Sequence, residues 1–187
     1  MTAVVINLES ITHLTRENFY SLCLANADLR LERSIAGELI IMPPVGGESG
    51  SSEAELATDL VIWNRRTKMG KVFSSSTIFS LPNGADKSPD LAWVKLERWQ
   101  ALTAKEQIGF PPICPDFVIE LRSATDRLKP LQAKMQEYLD NGLRLGWLID
   151  PQSQQVEIYR SQLAVEVRSL PASLSGEDVL PGFTLLI

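Results

Sequence analysis

Two short apolar runs, Lys87-Ser-Pro-Asp-Leu-Ala-Trp-Val94 and Pro115-Asp-Phe-Val-Ile-Glu-Leu-Arg122, each carry an acid where burial is expected. Asp90 follows Pro89 at the head of the first. Glu120 lies inside the run Phe117, Val118, Ile119, Leu121 of the second. An unbroken apolar run of this length is the pattern of a strand covered on both faces. Such strands call for a layered fold rather than a one-sided sheet. An ionised carboxylate inside one is costly unless a positive group meets it. A divalent cation would meet both acids at once; a nearby arginine is the plainer partner for each.

The remaining composition narrows the chemistry. With 187 residues, 44% of them hydrophobic and 22% charged, the chain suits one globular domain over residues 1–187. Residues 1–10 read as a loose N-terminal segment. They lack the basic start and small-residue cleavage site of a signal peptide. No window is apolar enough to span a membrane. The formal net charge of −5 argues against coating nucleic acid by charge alone, although a local basic cleft is compatible with it. Cys23 and Cys114 stand far apart without metal-type spacing and read as reduced core thiols of a cytoplasmic protein. His13 is the only histidine, close to a helix start, which removes Ser-His-Asp and Cys-His catalysis and histidine-rich zinc sites. Any chemistry must run on carboxylates, Lys, Arg or Tyr.

In chain order, Thr15 predicts a helix cap and a helix to about Ala27. Leu29–Ser34 and Glu38–Met42 read as a hairpin, and Gly46–Gly50 as a loop. Leu56, Leu60 and Trp63 make the apolar stripe of the longest helix, from Ser51 or Ser52 to about Met69, with Gly70 past its end. Glu53 shares that stripe and is the acid carried inward; it also fits as a favourable acid in a first helical turn. Arg65-Arg-Thr-Lys-Met-Gly-Lys71 is the densest basic run. Arg65, Arg66 and Lys71 could meet a nucleic-acid backbone, or simply form a solvated helix end.

Lys71–Phe73 and Thr77–Ser80 read as one interrupted strand, and Glu97–Glu106 as a polar helix. Ser123–Asp126 predicts the start of a helix to about Asn141 with the stripe Leu128, Leu131, Met135 and Tyr138. Leu145–Ile149 is a fully apolar strand. Val156–Tyr159 and Val165–Arg168 alternate as an antiparallel pair, and the tail adds a final strand. The order predicts an α/β fold: a mixed sheet flanked by helices on both faces, with extra antiparallel strands at the two ends. The Glu120 strand, the 126–141 helix and the Trp147 strand form a right-handed β-α-β unit.

Asp90 after Pro89, and Glu120-Leu121-Arg122 thirty positions on, resemble the bipartite motif of the PD-(D/E)XK nuclease superfamily. More closely, the chain is similar to a large bacterial family of restriction-endonuclease-fold proteins. The matching stretches include Glu32–Gly37, Pro43-Pro-Val-Gly-Gly47, Leu81-Pro-Asn-Gly84, Ser88–Trp93, Pro115–Ser123, Lys134-Met135 with Tyr138, and Gly146–Pro151. The resemblance implies a restriction-endonuclease-like core acting on DNA. Asp90 and Glu120 would hold Mg²⁺ or Mn²⁺, joined by the Leu121 carbonyl, with Glu53 as a further acid. Hard oxygen ligands suit such an ion. The slot two after Glu120 holds Arg122, which stays protonated and cannot be a base. In the relatives a lysine on the next helix takes over, and Lys134 matches it. Arg122 is left to a phosphate contact or an ion pair. Nucleases of this type often pair as dimers to cut two strands. The rival reading is a non-catalytic nucleic-acid-binding or assembly module on the same fold; a hydrolase of small phosphoesters is a third.

Overall fold

The structure is a computed structural model that describes residues 3–187. Its elements run β1 (Val4–Ile6), α1 (Arg16–Ala25), β2 (Arg30–Arg33), β3 (Leu39–Met42), α2 (Gly47–Thr67), β4 (Gly70–Ser74), β5 (Phe79–Ser80), β6 (Asp86–Lys87) and β7 (Leu91–Lys95). They continue with α3 (Leu96–Gln100), α4 (Ala104–Ile108), β8 (Phe117–Leu121), α5 (Leu128–Asp140), β9 (Leu145–Asp150), β10 (Gln155–Arg160), β11 (Glu166–Ser169), β12 (Ser173–Ser175) and β13 (Thr184–Leu186). The expected α/β class holds, with a mixed sheet, flanking helices and extra antiparallel strands.

The six-stranded sheet has the order β11-β10-β9-β8-β7-β4. Its only parallel pair is β8 with β9, joined through α5, which is the expected β-α-β unit. The continuous apolar runs follow from cover on both faces. Leu91, Trp93, Phe117, Ile119 and Trp147 pack in one core with Leu60 and Trp63 of α2. Ala92, Val94, Val118 and Leu148 pack in a second with Met135 and Tyr138 of α5. The period of two along a strand therefore assigns odd positions of β7 and β8 to α2 and even ones to α5.

A second sheet, of order β1-β3-β2-β6-β5, carries the N-terminal hairpin. The stretch expected as one strand over 87–94 is two strands in two sheets. β6 ends at Lys87, β7 begins at Leu91, and Ser88-Pro89-Asp90 crosses between them. Pro89 has no N–H for a ladder, so the break falls where the chain can leave a sheet. The interrupted strand over 71–80 divides in the same way, β4 joining the large sheet and β5 the small one.

Other expectations need local correction. The long helix starts at Gly47, inside the expected glycine loop, with Gly46 at its cap and no side-chain cap bond. Glycine composition signals a loop, but the packing of Leu60 and Trp63 carries the helix through it. Its left-handed end residue is Lys68, not Gly70. Gly70 opens β4, and a Cβ there would lie 2.3 Å from the Trp93 ring and the Val94 carbonyl, so glycine serves close approach. Ser123–Asp126 is a turn closed by Ser123 N–H and Oγ donating to Asp126 Oδ2, and α5 begins only at Leu128. The polar helix is two helices divided at Thr103, which makes a capping box with Glu106. The N-terminal segment is not loose throughout, because Val4–Ile6 pair with β3. The tail strand pairs with β12 in a separate two-stranded sheet.

Candidate active site

Strand register brings the two acids together. β7 and β8 are antiparallel with Leu91 opposite Ile119 and Ala92 opposite Val118. One step further along this register sets Asp90 across from Glu120. Glu120, an even position of β8, faces α5 and meets Lys134 and Tyr138 there, while Asp90 stands in the crossover just before β7. Asp90 Oδ2 accepts the Leu121 amide at 2.8 Å, which ties the crossover to the strand end beside Glu120. The two border one cleft of about 840 Å³, together with Glu53, Arg30 and Arg122.

Lys134 comes from the buried side of α5. Its ammonium lies 2.9 Å from Glu120 Oε1 and 2.9 Å from Glu32 Oε1, and donates to the Ser88 carbonyl at 2.9 Å. An ammonium has three N–H groups, so these three oxygens take all of them. Lys134 and Glu32 border a neighbouring cavity of about 920 Å³ between α5 and the small sheet. Lys134 thus stands behind Glu120 as seen from the cleft. Tyr138 Oη donates to the same Glu120 oxygen at 3.3 Å.

The electrostatics follow from this crowding. Burial pushes the Glu120 carboxyl up to about 8; Asp90 and Glu32 add to the rise and Lys134 opposes it. Asp90 is raised too, chiefly by burial, against the pull of Lys134, the Leu121 amide and Arg30. Glu53 is raised by burial and by the charge of Asp90. Burial alone would lower Lys134, but Glu120, Glu32 and Asp90 outweigh it and hold the ammonium protonated well above its usual range. Burial likewise opposes ionisation of Glu32, yet Lys134 and Lys87 bring it below the ordinary carboxylate range. Three buried or half-buried acids therefore share too little positive charge.

Arg122 Nη1 meets Asp150 Oδ2 at 2.8 Å, and its Nε donates to the Asp126 carbonyl at 3.1 Å. Of the two roles open to it, the structure displays the ion pair. Arg65, Arg66 and Lys71 are exposed and do not join the cleft. Arg65 is twelve residues beyond Glu53 on α2, roughly 18 Å at 1.5 Å per residue. Sequence reasoning missed Glu32 and Arg30. Both lie on one face of β2 opposite Leu31, and that alternation of charge with apolar residues was the available signal. Arg30 Nη2 stands 3.8 Å from Asp90 Oδ1 and donates to the Ser75 carbonyl at 3.1 Å, while its Nε is buried without a partner.

Among the described residues, no group of three or more His, Cys, Asp or Glu is placed to hold a metal ion. Glu53 therefore does not complete a three-carboxylate site with Asp90 and Glu120. A hard cation that keeps most of its water needs only one or two carboxylates. Asp90 and Glu120 fit that smaller demand: the hydrogen bonds fall on Oδ2 of one and Oε1 of the other, and Arg30 pairs with Asp90 Oδ1 only at 3.8 Å, beyond hydrogen-bond length.

A family model described as "Uma2: Putative restriction endonuclease" matches residues 16–187. The chain belongs to the Uma2 family. Its fold is similar to that of a crystal structure described as "a putative nuclease belonging to DUF820 from Anabaena variabilis ATCC 29413". That likeness has 22% identity and a TM-score of 0.72, covering 83% of this chain and 86% of the other. At such identity it speaks to the fold alone. No curated protein matches the chain. Membership of Uma2 agrees with the restriction-endonuclease resemblance carried by Asp90, Glu120 and Lys134. Among the described residues no helix is long and apolar enough to cross a membrane.

Proposed function

We propose that this Uma2 protein is a nuclease that hydrolyses phosphodiester bonds in DNA with a divalent cation, Mg²⁺ or Mn²⁺, held by Asp90 and Glu120. The observation that carries the reading is the bond from the Leu121 amide to Asp90, which sets two under-neutralised acids side by side at one strand end. The cation would polarise the phosphoryl oxygen and supply hydroxide near neutral pH. Asp90 and Glu120 would hold and orient it, with the Leu121 carbonyl as a further oxygen ligand. Lys134, permanently charged and bonded to Glu120, stabilises negative charge through that carboxylate rather than acting as a base. Glu53 adds to the negative field of the cleft wall. Arg122 fixes the end of β8 through Asp150. Arg65, Arg66 and Lys71 serve as flanking phosphate contacts outside the cleft. The protein acts in the cytoplasm as a single domain, and two copies pair to cut both strands.

The second reading, a non-catalytic nucleic-acid-binding module, draws on the occupied donors of Lys134. Metal dependence separates the two. At free Mn²⁺ of 100 times Kd, binding adds about 2.7 kcal/mol. This raises Tm by roughly 5–10 °C for a chain of this size. D90N removes the shift and the cleavage of DNA together. A melting curve unmoved by either cation would sink the nuclease reading.

A further inference from the structure

We infer that Glu32 is a positioning residue: it clamps Ser88 and Lys134 together and thereby sets Asp90 against Glu120. Its catalytic consequence rests on the nuclease reading; its geometry does not.

The crossover from β6 to β7 has no ladder of its own over Ser88-Pro89-Asp90. Backbone groups there must find other partners, because a buried N–H or C=O left unpaired is costly. Glu32 Oε1 accepts the Ser88 N–H at 3.0 Å. Lys134 donates to the Ser88 carbonyl at 2.9 Å and lies 2.9 Å from that same Glu32 oxygen. Both backbone polar groups of Ser88 are thus held by one carboxylate-ammonium pair. Its hydroxyl adds a bond to the Ser75 carbonyl at 2.6 Å. Pro89 brings a restricted φ and no donor, so the position of Asp90 two residues on inherits the hold on Ser88.

The clamp also decides where Lys134 points. Its third acceptor is Glu120 Oε1 at 2.9 Å. Were Glu32 absent, one N–H would be released and the ammonium would be free to leave its place behind Glu120. Lys87 faces the other Glu32 oxygen at 3.7 Å and Glu137 at 3.3 Å. Glu32 touches neither the proposed ion nor substrate, so it acts through Ser88 and Lys134.

Two variants separate bonding reach from charge. E32Q keeps an oxygen that can accept from both Ser88 and Lys134 but loses the charge. E32D keeps the charge but is one methylene short. A clamp predicts that E32Q stays within about threefold of the parent in kcat and in Mn²⁺ affinity, while E32D loses roughly 10–100-fold, the scale seen when a residue supporting a metal ligand is removed. KM for DNA changes little in either. Hydrogen exchange at the Ser88 amide, read by NMR, accelerates by at least about tenfold in E32D and not in E32Q. The reverse ranking, E32Q impaired and E32D intact, overturns the clamp and leaves Glu32 a mere neutraliser of charge. Unchanged Ser88 exchange in E32D overturns it as well, and so does faster exchange with unchanged Mn²⁺ affinity. If the parent protein binds no Mn²⁺ and cuts no DNA, the nuclease reading fails, and Ser88 exchange still decides the clamp.

Discussion

Two buried acid clusters lie within five residues of one another, and they are built on opposite plans. Asp86, on β6, is fully enclosed and receives Arg33 Nε and Nη2, each at 2.7 Å, with Arg16 at 3.5 Å. Arg33 also donates to the carbonyls of Leu14 at 3.1 Å and Gly84 at 2.6 Å. One carboxylate there faces two guanidiniums, and its partner is satisfied. Asp90, Glu120 and Glu32 instead share Lys134, with Lys87 divided between Glu32 and Glu137 and Arg30 at 3.8 Å from Asp90. The first cluster holds the small sheet to α1. The second is short of positive charge at the mouth of a cleft. A surplus of buried acid costs stability, so its retention at the cleft favours a role in binding a cation.

The sharpest way to break this comparison is to neutralise one acid of each kind. D86A strands the buried Arg33 guanidinium and should cost about 3–5 kcal/mol, read as a lower urea midpoint with an unchanged m value. E120Q exchanges a carboxyl that burial keeps largely protonated at pH 7 for a neutral amide. In chelator at pH 7 it should change stability by less than about 1 kcal/mol while abolishing the Mn²⁺-dependent rise in Tm. If E120Q in chelator is as damaging as D86A, the two clusters are alike and the cleft acids are structural.

How much of this contrast could be read from the sequence depends on the range of the interactions. Asp90 and Glu120 were legible because each interrupts an apolar strand, a signal carried by a few neighbouring residues. The β-α-β unit was legible for the same reason, since the apolar runs of β8 and β9 and the helical stripe of α5 are each carried by neighbouring residues. Lys134 and the basic run could be named, but their surroundings could not: nothing in the sequence distinguishes a lysine with three acceptors from a solvated one. Glu32 was hidden because its partners, Ser88 and Lys134, lie 56 and 102 positions away. The splitting of 87–94 between two sheets was hidden too, because sheet membership is set by pairing and not by local pattern. Gly46–Gly50 was read as a loop because propensity is weak against packing.

The pH dependence sharpens the comparison further. Glu120 ordinarily titrates near 4.5 and is pushed up to about 8 in the fold. Between those values the folded chain keeps a proton that the unfolded chain has released. Stability from this group is full below the unfolded value and is lost as pH rises through the folded one. In chelator, Tm of the parent should therefore fall more steeply than that of E120Q between pH 5 and 8. With Mn²⁺ the sign reverses, because the ion binds the deprotonated carboxylate and its stabilisation grows with pH. Parallel curves for parent and E120Q would show that Glu120 is already matched by Lys134, as Asp86 is by Arg33.

The smallest expected effect lies at the other end of α2. Arg65 and Arg66 are exposed, flank no buried acid and belong to neither cluster. R65A/R66A should leave kcat and the Mn²⁺ shift unchanged and alter stability by no more than about 0.5 kcal/mol. If they are flanking phosphate contacts, two fewer contacts reduce the steepness of log KM against log salt by roughly 2. A slope that does not move would make the basic run a solvated helix terminus favourable to the dipole. Lys71 and the cleft acids, through the cation they would hold, would then remain as the assigned contacts with DNA.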